Sequence, residues 1–587
     1  MWNSLLQSGV SAEIIVYVLR KVIRYRHGLS PCIHGNVQRI DALASGVCRR
    51  QDMQAERTGL ASMENQVIGR RSRAQKGDQI AATLILALAL ACVWFATRQD
   101  IWIDESTQLS GITLSPMALI QWLAGTDTGR FGVPGDRMPP LGYLLDWAWW
   151  HGVSKSVLAL RLFHAALVVA ALALYAWTER NYVVGRRAIV GLIFLAVSPE
   201  TIQFAVELRA YPMLFALACL QTALFLGLVA GRGVPSGKRL GAFALVCVAT
   251  CFVHFFGVVA TCAFFGALLL RFLRTSPLRV IATGIAALVP TLALKPFIVG
   301  ATALSQELVV GISPVEYILQ LFAGSAYLVL PFAGAVFMAG SIALFLLGIW
   351  GGLGRALERR TEPVDHMIVV TALGVVATIG PHFWIHSFDT LKPSYSIWLL
   401  PGLAMIMASG AREVARRGRW MTLGVKAGVV ALAVGAGIST AIFLVHPDWS
   451  IHGPARAIIT ARQALPSDTP IVYVGEDTYA YGYFPIVYLT EGRAQQWLAE
   501  GDGVRRLPDG PIEAWKALAQ HRQVLFVDIR LRRYAELGQC LKGRCPPFDR
   551  SSMLDALLAG GRWRETSLNR SFGYYDATIT RLDAVDK

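Results

Sequence analysis

Long apolar runs separated by short polar loops dominate the chain from residue 79 to residue 445. A helix needs about 20 residues to cross a hydrocarbon core. Eleven stretches reach or approach that length: 80–97, 157–177, 188–203, 211–230, 240–253, 256–270, 279–296, 326–350, 366–381, 395–410 and 424–445. The apolar run from 240 to 270 reads either as one long tilted helix or as two short ones on either side of His254. The charges decide for two. Arg180, Arg186 and Arg187 fall in one loop, Arg232, Lys238 and Arg239 in another, and Arg271, Arg274 and Arg279 in a third. Arg355, Arg359 and Arg360, then Arg412, Arg416, Arg417 and Arg419, continue the series. Every second loop is basic, which orients a membrane protein with those loops inside, and merging the two helices would reverse everything downstream. The fold class expected is therefore a polytopic α-helical membrane protein with about eleven transmembrane helices.

The opposite side then receives the long loop 98–156, the turn 204–210, the segments 297–325 and 382–394, and the tail 446–587. The tail reads as a soluble α/β domain, with buried strands at 470–475 and 523–529 and a helix at 512–520. Cys540 and Cys545 are spaced to close a small disulfide loop in an oxidising compartment, or stand as two free thiols. The segment 1–78 is polar and basic after an amphipathic start, and lacks the small-residue cleavage site of a signal peptide. A surface-lying helix followed by disorder is expected for it, on the cytoplasmic side, and Met53 or Met63 is an alternative start.

Composition agrees with the pattern. Of 587 residues, 54% are hydrophobic and only 16% charged, where a soluble chain would carry about 25% charged residues. Mean hydropathy is +0.47. The net charge of +16 sits mostly in short loops between apolar runs, so it points to membrane orientation rather than nucleic acid.

Charged groups near the helix ends are the candidates for chemistry, because ionisable groups at membrane depth are costly and are paired or functional. Trp102, Asp104 and Glu105 follow the first span; adjacent carboxylates there serve as a base and its partner, hold a divalent ion, or merely cap a solvated loop. Asp136, Arg137, Met138, Pro139, Pro140 and Leu141 lead into a Trp-rich stretch. Arg161 opens the second span, and Glu207, Arg209 and Tyr211 occupy a polar turn. Residues two apart on a helix face different ways, so separate partners are expected for Glu207 and Arg209. His254 is a metal or phosphate ligand or a satisfied helix-end histidine, and Lys392 with Tyr395 either binds a phosphate or sits at the interface.

Taken together these residues resemble the polyprenyl-phosphate-sugar-dependent membrane glycosyltransferases of the C-type fold, over roughly residues 79–445. This family includes the dolichyl-phosphate-mannose protein mannosyltransferases and the bacterial lipid A aminoarabinose transferase. The resemblance lies in the acidic pair Asp104–Glu105, the Pro139–Pro140–Leu141 stretch, Arg161, the Glu207-x-Arg209-x-Tyr211 turn and His254–Phe255. Two features depart from it. Arg137 and Met138 stand where an acidic residue or His is common, with Asp136 one place earlier, and Ser394–Tyr395 replaces an Arg–Tyr pair, leaving Lys392 to supply the charge.

The resemblance implies a polyprenyl-phosphate-linked sugar donor and a glycan, lipid or protein acceptor at the periplasmic face of a bacterial inner membrane, with inversion at the anomeric carbon. Asp104 is then the base, Glu105 orients the acceptor or a metal, and Asp104 with His254 is the candidate pair for a divalent ion. Arg209, Lys392 and Arg161 neutralise the leaving phosphate, and Asp136, Glu207, Tyr211 and Tyr395 complete the binding site. A transporter or flippase for lipid-linked sugars, or a non-catalytic subunit of polysaccharide assembly, are the alternatives, although the sequence contains no inverted repeat.

Overall fold

The structure is a computed structural model. It describes residues 79–126, 133, 135–136, 138–183, 190–196, 199–231, 233–298, 314–323, 331–385, 393–416, 430, 434, 455–500, 503–507, 512–514, 518, 520–531, 552–571 and 575–585. The expectations for residues 1–78, the span 424–445, Lys392 and the pair Cys540 and Cys545 lie outside the described residues or nearly so.

Six helices among the described residues are long and apolar enough to cross a membrane: Gln79–Arg98, Val157–Tyr182, Tyr211–Val229, Pro277–Ile298, Phe337–Leu357 and Ser394–Glu413. Phe256–Phe272 and Asp365–Gly380 are shorter apolar helices. Their outward surface is apolar. Leu90 is 62% exposed, Leu292 75% and Val376 68%, a belt of aliphatic side chains that water would not tolerate and lipid would. The chain is a helical membrane protein.

We number helices in chain order. The first, α1, is Gln79–Arg98. The loop after it holds three short helices, α2 (Ile103–Ile112), α3 (Pro116–Leu123) and α4 (Pro140–Gly152). Then come α5 (Val157–Tyr182), α6 (Val190–Ala196), α7 (Pro199–Val206) and α8 (Tyr211–Val229). The expected single span at 188–203 is thus two short helices, with Pro199 opening the second. Proline lacks the amide hydrogen that a continuous helix would use, and its ring clashes with the preceding turn.

At the next doubtful place the chain does break. Helix α9 (Gly237–Val253) ends on His254, which is extended at φ −154° and ψ 141°, and α10 (Phe256–Phe272) starts immediately afterwards. Gly257 permits the reversal: a β-carbon there would lie 2.3 Å from the Thr250 carbonyl oxygen. Helix α11 (Pro277–Leu288) continues as a 3₁₀ turn over Val289–Leu294, and α12 is Pro314–Ala323. The last membrane elements described are α13 (Pro331–Leu357), α14 (Asp365–Ile385) and α15 (Leu400–Arg416), the last led in by a 3₁₀ turn over Pro393–Leu399.

One set of helix ends is basic and locked by ion pairs. Arg355 donates to Asp365 and to Ser409 across α13, α14 and α15, and Arg412 pairs with Glu362 while donating to the Val183 carbonyl. The opposite set, from α1, α5, α8, α9 and α10, gathers acidic and aromatic residues and supports the α/β unit.

That unit begins with α16 (Ala455–Gln463) and contains a seven-stranded sheet. Its strands are β1 (Ile471–Val474), β2 (Gln496–Glu500), β3 (Gly503–Arg506), β4 (Ile512–Ala514), β5 (Gln523–Leu531), β6 (Trp563–Ser571) and β7 (Tyr575–Ala584), in the order β4-β3-β2-β1-β5-β7-β6. Strand β1 is parallel to both β2 and β5, and the remaining pairs are antiparallel. The segment expected to be helical at 512–520 begins as β4, an edge strand whose register with β3 pairs Ile512 with Arg505. Helix α17 (Gly475–Leu489) follows β1 and packs on α2, and the Arg456 amide donates to Asp100 at 2.5 Å. The sheet unit therefore sits over the loop that carries Asp104.

Candidate active site

Two adjacent carboxylates open α2, and the helix sends them different ways. Successive residues on a helix are rotated by about 100°, so Asp104 and Glu105 cannot share one face. Glu105 is fully buried: Oε2 meets Arg161 Nη2 at 2.7 Å and Oε1 accepts the Leu208 amide at 3.0 Å. Burial pushes its carboxyl up, against the opposing pull of Arg161. Asp104 keeps 35% of its side chain exposed, and its Oδ2 lies 3.6 Å from Arg209 Nε.

Arg161 is consumed by this arrangement. Its Nη1 donates to the carbonyls of Ala96 and Gln99, and its Nη2 to the Asp100 carbonyl as well as to Glu105. It thus caps the end of α1 and neutralises Glu105. Glu105 and Arg161, expected to orient an acceptor or a metal and to neutralise a leaving phosphate, are here each other's partner.

Arg209 stands in the bend between α7 and α8, where neither helix claims the backbone. Its Nη1 meets Asp136 Oδ2 at 2.7 Å, and the same oxygen accepts the Tyr143 hydroxyl at 2.6 Å. Burial works against the Arg209 charge, but Asp104 and Asp136 outweigh it and hold the guanidinium firmly protonated. Asp136, Asp104 and Arg209 come from three distant stretches and meet at one point, flanked by one partly open carboxylate.

Glu207, two residues earlier, faces inward. It is buried, and its Oε2 has no hydrogen-bond partner among the described residues. Burial, together with the nearby carboxylates of Glu105 and Asp104, raises its pKa well above the usual carboxyl range. Arg209 thus has its own partners, and burial favours the neutral form of Glu207.

Beside the bend lies an aromatic cluster. The His254 ring is 5.8 Å from Tyr211 and 5.6 Å from Tyr395, and Tyr395 stacks on Phe256 at 5.3 Å. His254 Nδ1 accepts the Phe256 amide at 3.2 Å, so the hydrogen of the neutral ring is on Nε2, which is buried and has no hydrogen-bond partner among the described residues. A buried donor is costly to leave without an acceptor, and this one stands beside the charged cluster.

The same tautomer argues against His254 as a metal ligand. A metal on Nε2 would put the hydrogen on Nδ1, directly against the Phe256 amide hydrogen. Asp104 and Asp136 are already matched by Arg209, and no three His, Cys, Asp or Glu side chains among the described residues group together as metal donors. The expected pairing of Asp104 with His254 around a divalent ion does not fit these residues.

Of the residues singled out in the sequence, the structure brings Asp104, Asp136, Arg209, Tyr211, His254 and Tyr395 to one region and turns Glu105 and Arg161 into its support. Sequence reasoning missed Tyr143, Asp146, His164 and Gln108. His164 Nε2 meets Asp146 Oδ1 at 2.8 Å, and Gln108 Nε2 donates to Asp146 Oδ2 at 2.7 Å. A signal was available: His164 is one helical turn beyond Arg161 within an apolar span, where any ionisable group is expensive.

No protein-family model matches the chain, and no curated protein sequence matches it. Among solved structures it is similar to ArnT from Cupriavidus metallidurans, in the apo state and bound to undecaprenyl phosphate. In each case identity is 12%, the match covers 85% of this chain and 97% of that chain, and the TM-score is 0.49. It is also similar to the archaeal oligosaccharyltransferase AglB from Archaeoglobus fulgidus in complex with an inhibitory peptide and a dolichol-phosphate, at 11% identity and a TM-score of 0.43, covering 84% of this chain and 74% of that one.

Proposed function

We propose that the chain transfers a glycosyl group from a polyprenyl-phosphate-linked donor to an acceptor hydroxyl, on the face of the membrane that carries Asp104. The observation that supports this best is Arg209, a buried cation set between Asp136 and the partly open Asp104 at the mouth of membrane helices. Such a point suits a substrate whose tail lies in lipid and whose phosphate stays at headgroup depth.

In this reading Asp104 takes the proton of the acceptor hydroxyl while that oxygen attacks the anomeric carbon from the side opposite the phosphate. The bond between the anomeric carbon and the phosphate oxygen breaks with its electron pair, the new glycosidic bond forms with inversion, and polyprenyl phosphate leaves. Charge grows on that phosphate in the transition state, where a preorganised cation is most effective. Arg209 supplies the positive charge and the His254 Nε2 hydrogen a neutral donor, with Tyr211 and Tyr395 packed beside the ring. Lys392 is a second candidate cation for the phosphate. The basic helix ends lie in the cytoplasm of a bacterium in this reading, and the α/β unit, with a disulfide between Cys540 and Cys545, lies in the periplasm above the acceptor.

The test is transfer of radiolabelled sugar from a panel of polyprenyl-phosphate sugars to native membrane acceptors by the purified chain and its Asp104→Asn variant. Transfer by the parent and its loss in the variant supports the reading. A folded parent that binds the lipid donors and transfers to no acceptor overturns it in favour of a transporter.

A further inference from the structure

One peptide group in the site is gripped from both ends by buried ion pairs. The carbonyl of Glu207 faces His164 Nδ1 at 2.8 Å, and His164 Nε2 faces Asp146 at 2.8 Å. The amide hydrogen of the next residue, Leu208, is bound by Glu105 at 3.0 Å, and Glu105 is paired with Arg161 at 2.7 Å. The carbonyl end of the Glu207–Leu208 peptide therefore looks at the histidine of one pair, and its amide end at the carboxylate of the other. Asp146 and His164 are fully buried, and Gln108, which donates to the second Asp146 oxygen, is 2% exposed.

The donor role of His164 Nδ1 follows from chemistry alone. A carbonyl oxygen only accepts, so His164 Nδ1 carries its hydrogen. Where the Asp146 carboxylate is ionised it only accepts, so Nε2 then carries a hydrogen too and the ring is the cation of a buried pair. Both pairs polarise the peptide in the direction of its own dipole, which strengthens both hydrogen bonds in a low-dielectric setting. Arg209 is the residue immediately after this peptide.

We infer that the Gln108–Asp146–His164 chain is a positioning device that, with Glu105 and Arg161, clamps the Glu207–Leu208 peptide and thereby aims Arg209 between Asp104 and Asp136. His164 and Asp146 reach no substrate; they act through the backbone. The clamp stands on the geometry of the chain, and only its effect on turnover rests on the glycosyl-transfer reading.

Two measurements on the full-length chain separate the two. In ¹⁵N-histidine solid-state NMR, a ring with both nitrogens protonated is expected at neutral pH, and its signal disappears in the double variant His164→Phe with Asp146→Leu, which removes both charges together and so avoids leaving one buried alone. A neutral His164 with a bare Nδ1 overturns the clamp whatever the chain catalyses. In transfer assays the folded double variant is expected to lose about 100-fold in kcat, with KM for the lipid donor unchanged within about threefold, the cost of misplacing one charged group. Asp146→Asn keeps the Nδ1 donor, because asparagine can donate to Nε2 of a neutral ring, and should restore most of kcat. Parental kcat in the folded double variant overturns the positioning role. If the double variant fails to fold, an Asp146→Asn variant as slow as Arg209→Lys overturns it, and one near parental rate supports it. A parent that transfers nothing counts against the glycosyl-transfer reading alone, since the NMR result still decides the clamp.

Discussion

Arg209 holds two carboxylates at once because a guanidinium is a planar fork: Nη1 addresses Asp136 at 2.7 Å while Nε faces Asp104 at 3.6 Å. Lysine keeps the charge but not the fork. Arg209→Lys is therefore expected to fold and to lose about 100-fold in kcat, the scale of removing one preorganised donor from developing charge, as steady-state transfer rates would show. Glu207 makes the opposite prediction. Its pKa is raised by burial and by the neighbouring Glu105 and Asp104, so the folded chain favours its neutral form. Its contribution to stability is complete below the ordinary carboxyl range. It falls away as pH rises toward the raised folded value, because the unfolded chain releases the proton first. Glu207→Gln, a volume-conserving neutral replacement, should cost less than about 1.5 kcal/mol and flatten the decline of the melting temperature as pH rises above the ordinary carboxyl range in detergent. An unchanged decline would show that Glu207 is already ionised in the folded chain. Arg209, Glu207 and Asp104 stand out in the sequence because each is a charge beside an apolar run. Tyr143 and Gln108 do not, because a tyrosine or glutamine in a mixed loop has no signature until its buried partner is known.

Helices in this chain are shaped by where they fail to be regular. His254 can sit between Tyr211 and Tyr395 only because α9 stops one residue earlier and Gly257 lets α10 leave at once. Alternating basic loops expose that break in the sequence. The division of 188–203 into α6 and α7 is less visible, since both halves are apolar and only Pro199 marks the boundary. Edge strand β4 was hidden for another reason. A three-residue strand carries too little alternation to be told from a helix start, and its place is set by pairing with β3. Helices α13 and α15 approach most closely through glycine: a β-carbon on Gly410 would lie 2.0 Å from the Leu344 carbonyl oxygen, and one on Gly348 would lie 2.1 Å from that of Ile406. Backbone cannot yield as a flexible side chain does, so Gly410→Leu must push the helices apart. A loss of about 1–3 kcal/mol is expected, seen as a lower melting temperature of the detergent-solubilised chain, whereas Gly354→Ala, where nothing lies within 4 Å, should leave it unchanged.

On the scale of the whole molecule, the basic helix ends and the acidic, aromatic ends lie on opposite sides of an apolar belt, and the positive-inside rule turns that asymmetry into a direction. The basic end is tied by Arg355, Asp365, Arg412 and Glu362, and the other end bears the α/β unit, held to the loop after α1 by Arg456 and Asp100. If the basic end faces the cytoplasm, the two ends differ in access to a reagent that cannot cross the membrane. Arg360, on the basic side, has a side chain 81% exposed, and Arg493, in the α/β unit, one 78% exposed, so a cysteine at either position is open to solvent. In intact spheroplasts a charged maleimide should label Arg493→Cys above the parent's own thiols and leave Arg360→Cys unlabelled until the membrane is permeabilised. The reverse pattern would put Asp104 and Arg209 in the cytoplasm. The site chemistry would survive that result, because it depends on side-chain distances, but the donor would then have to present its sugar on the cytoplasmic side and the proposed periplasmic acceptor would be excluded.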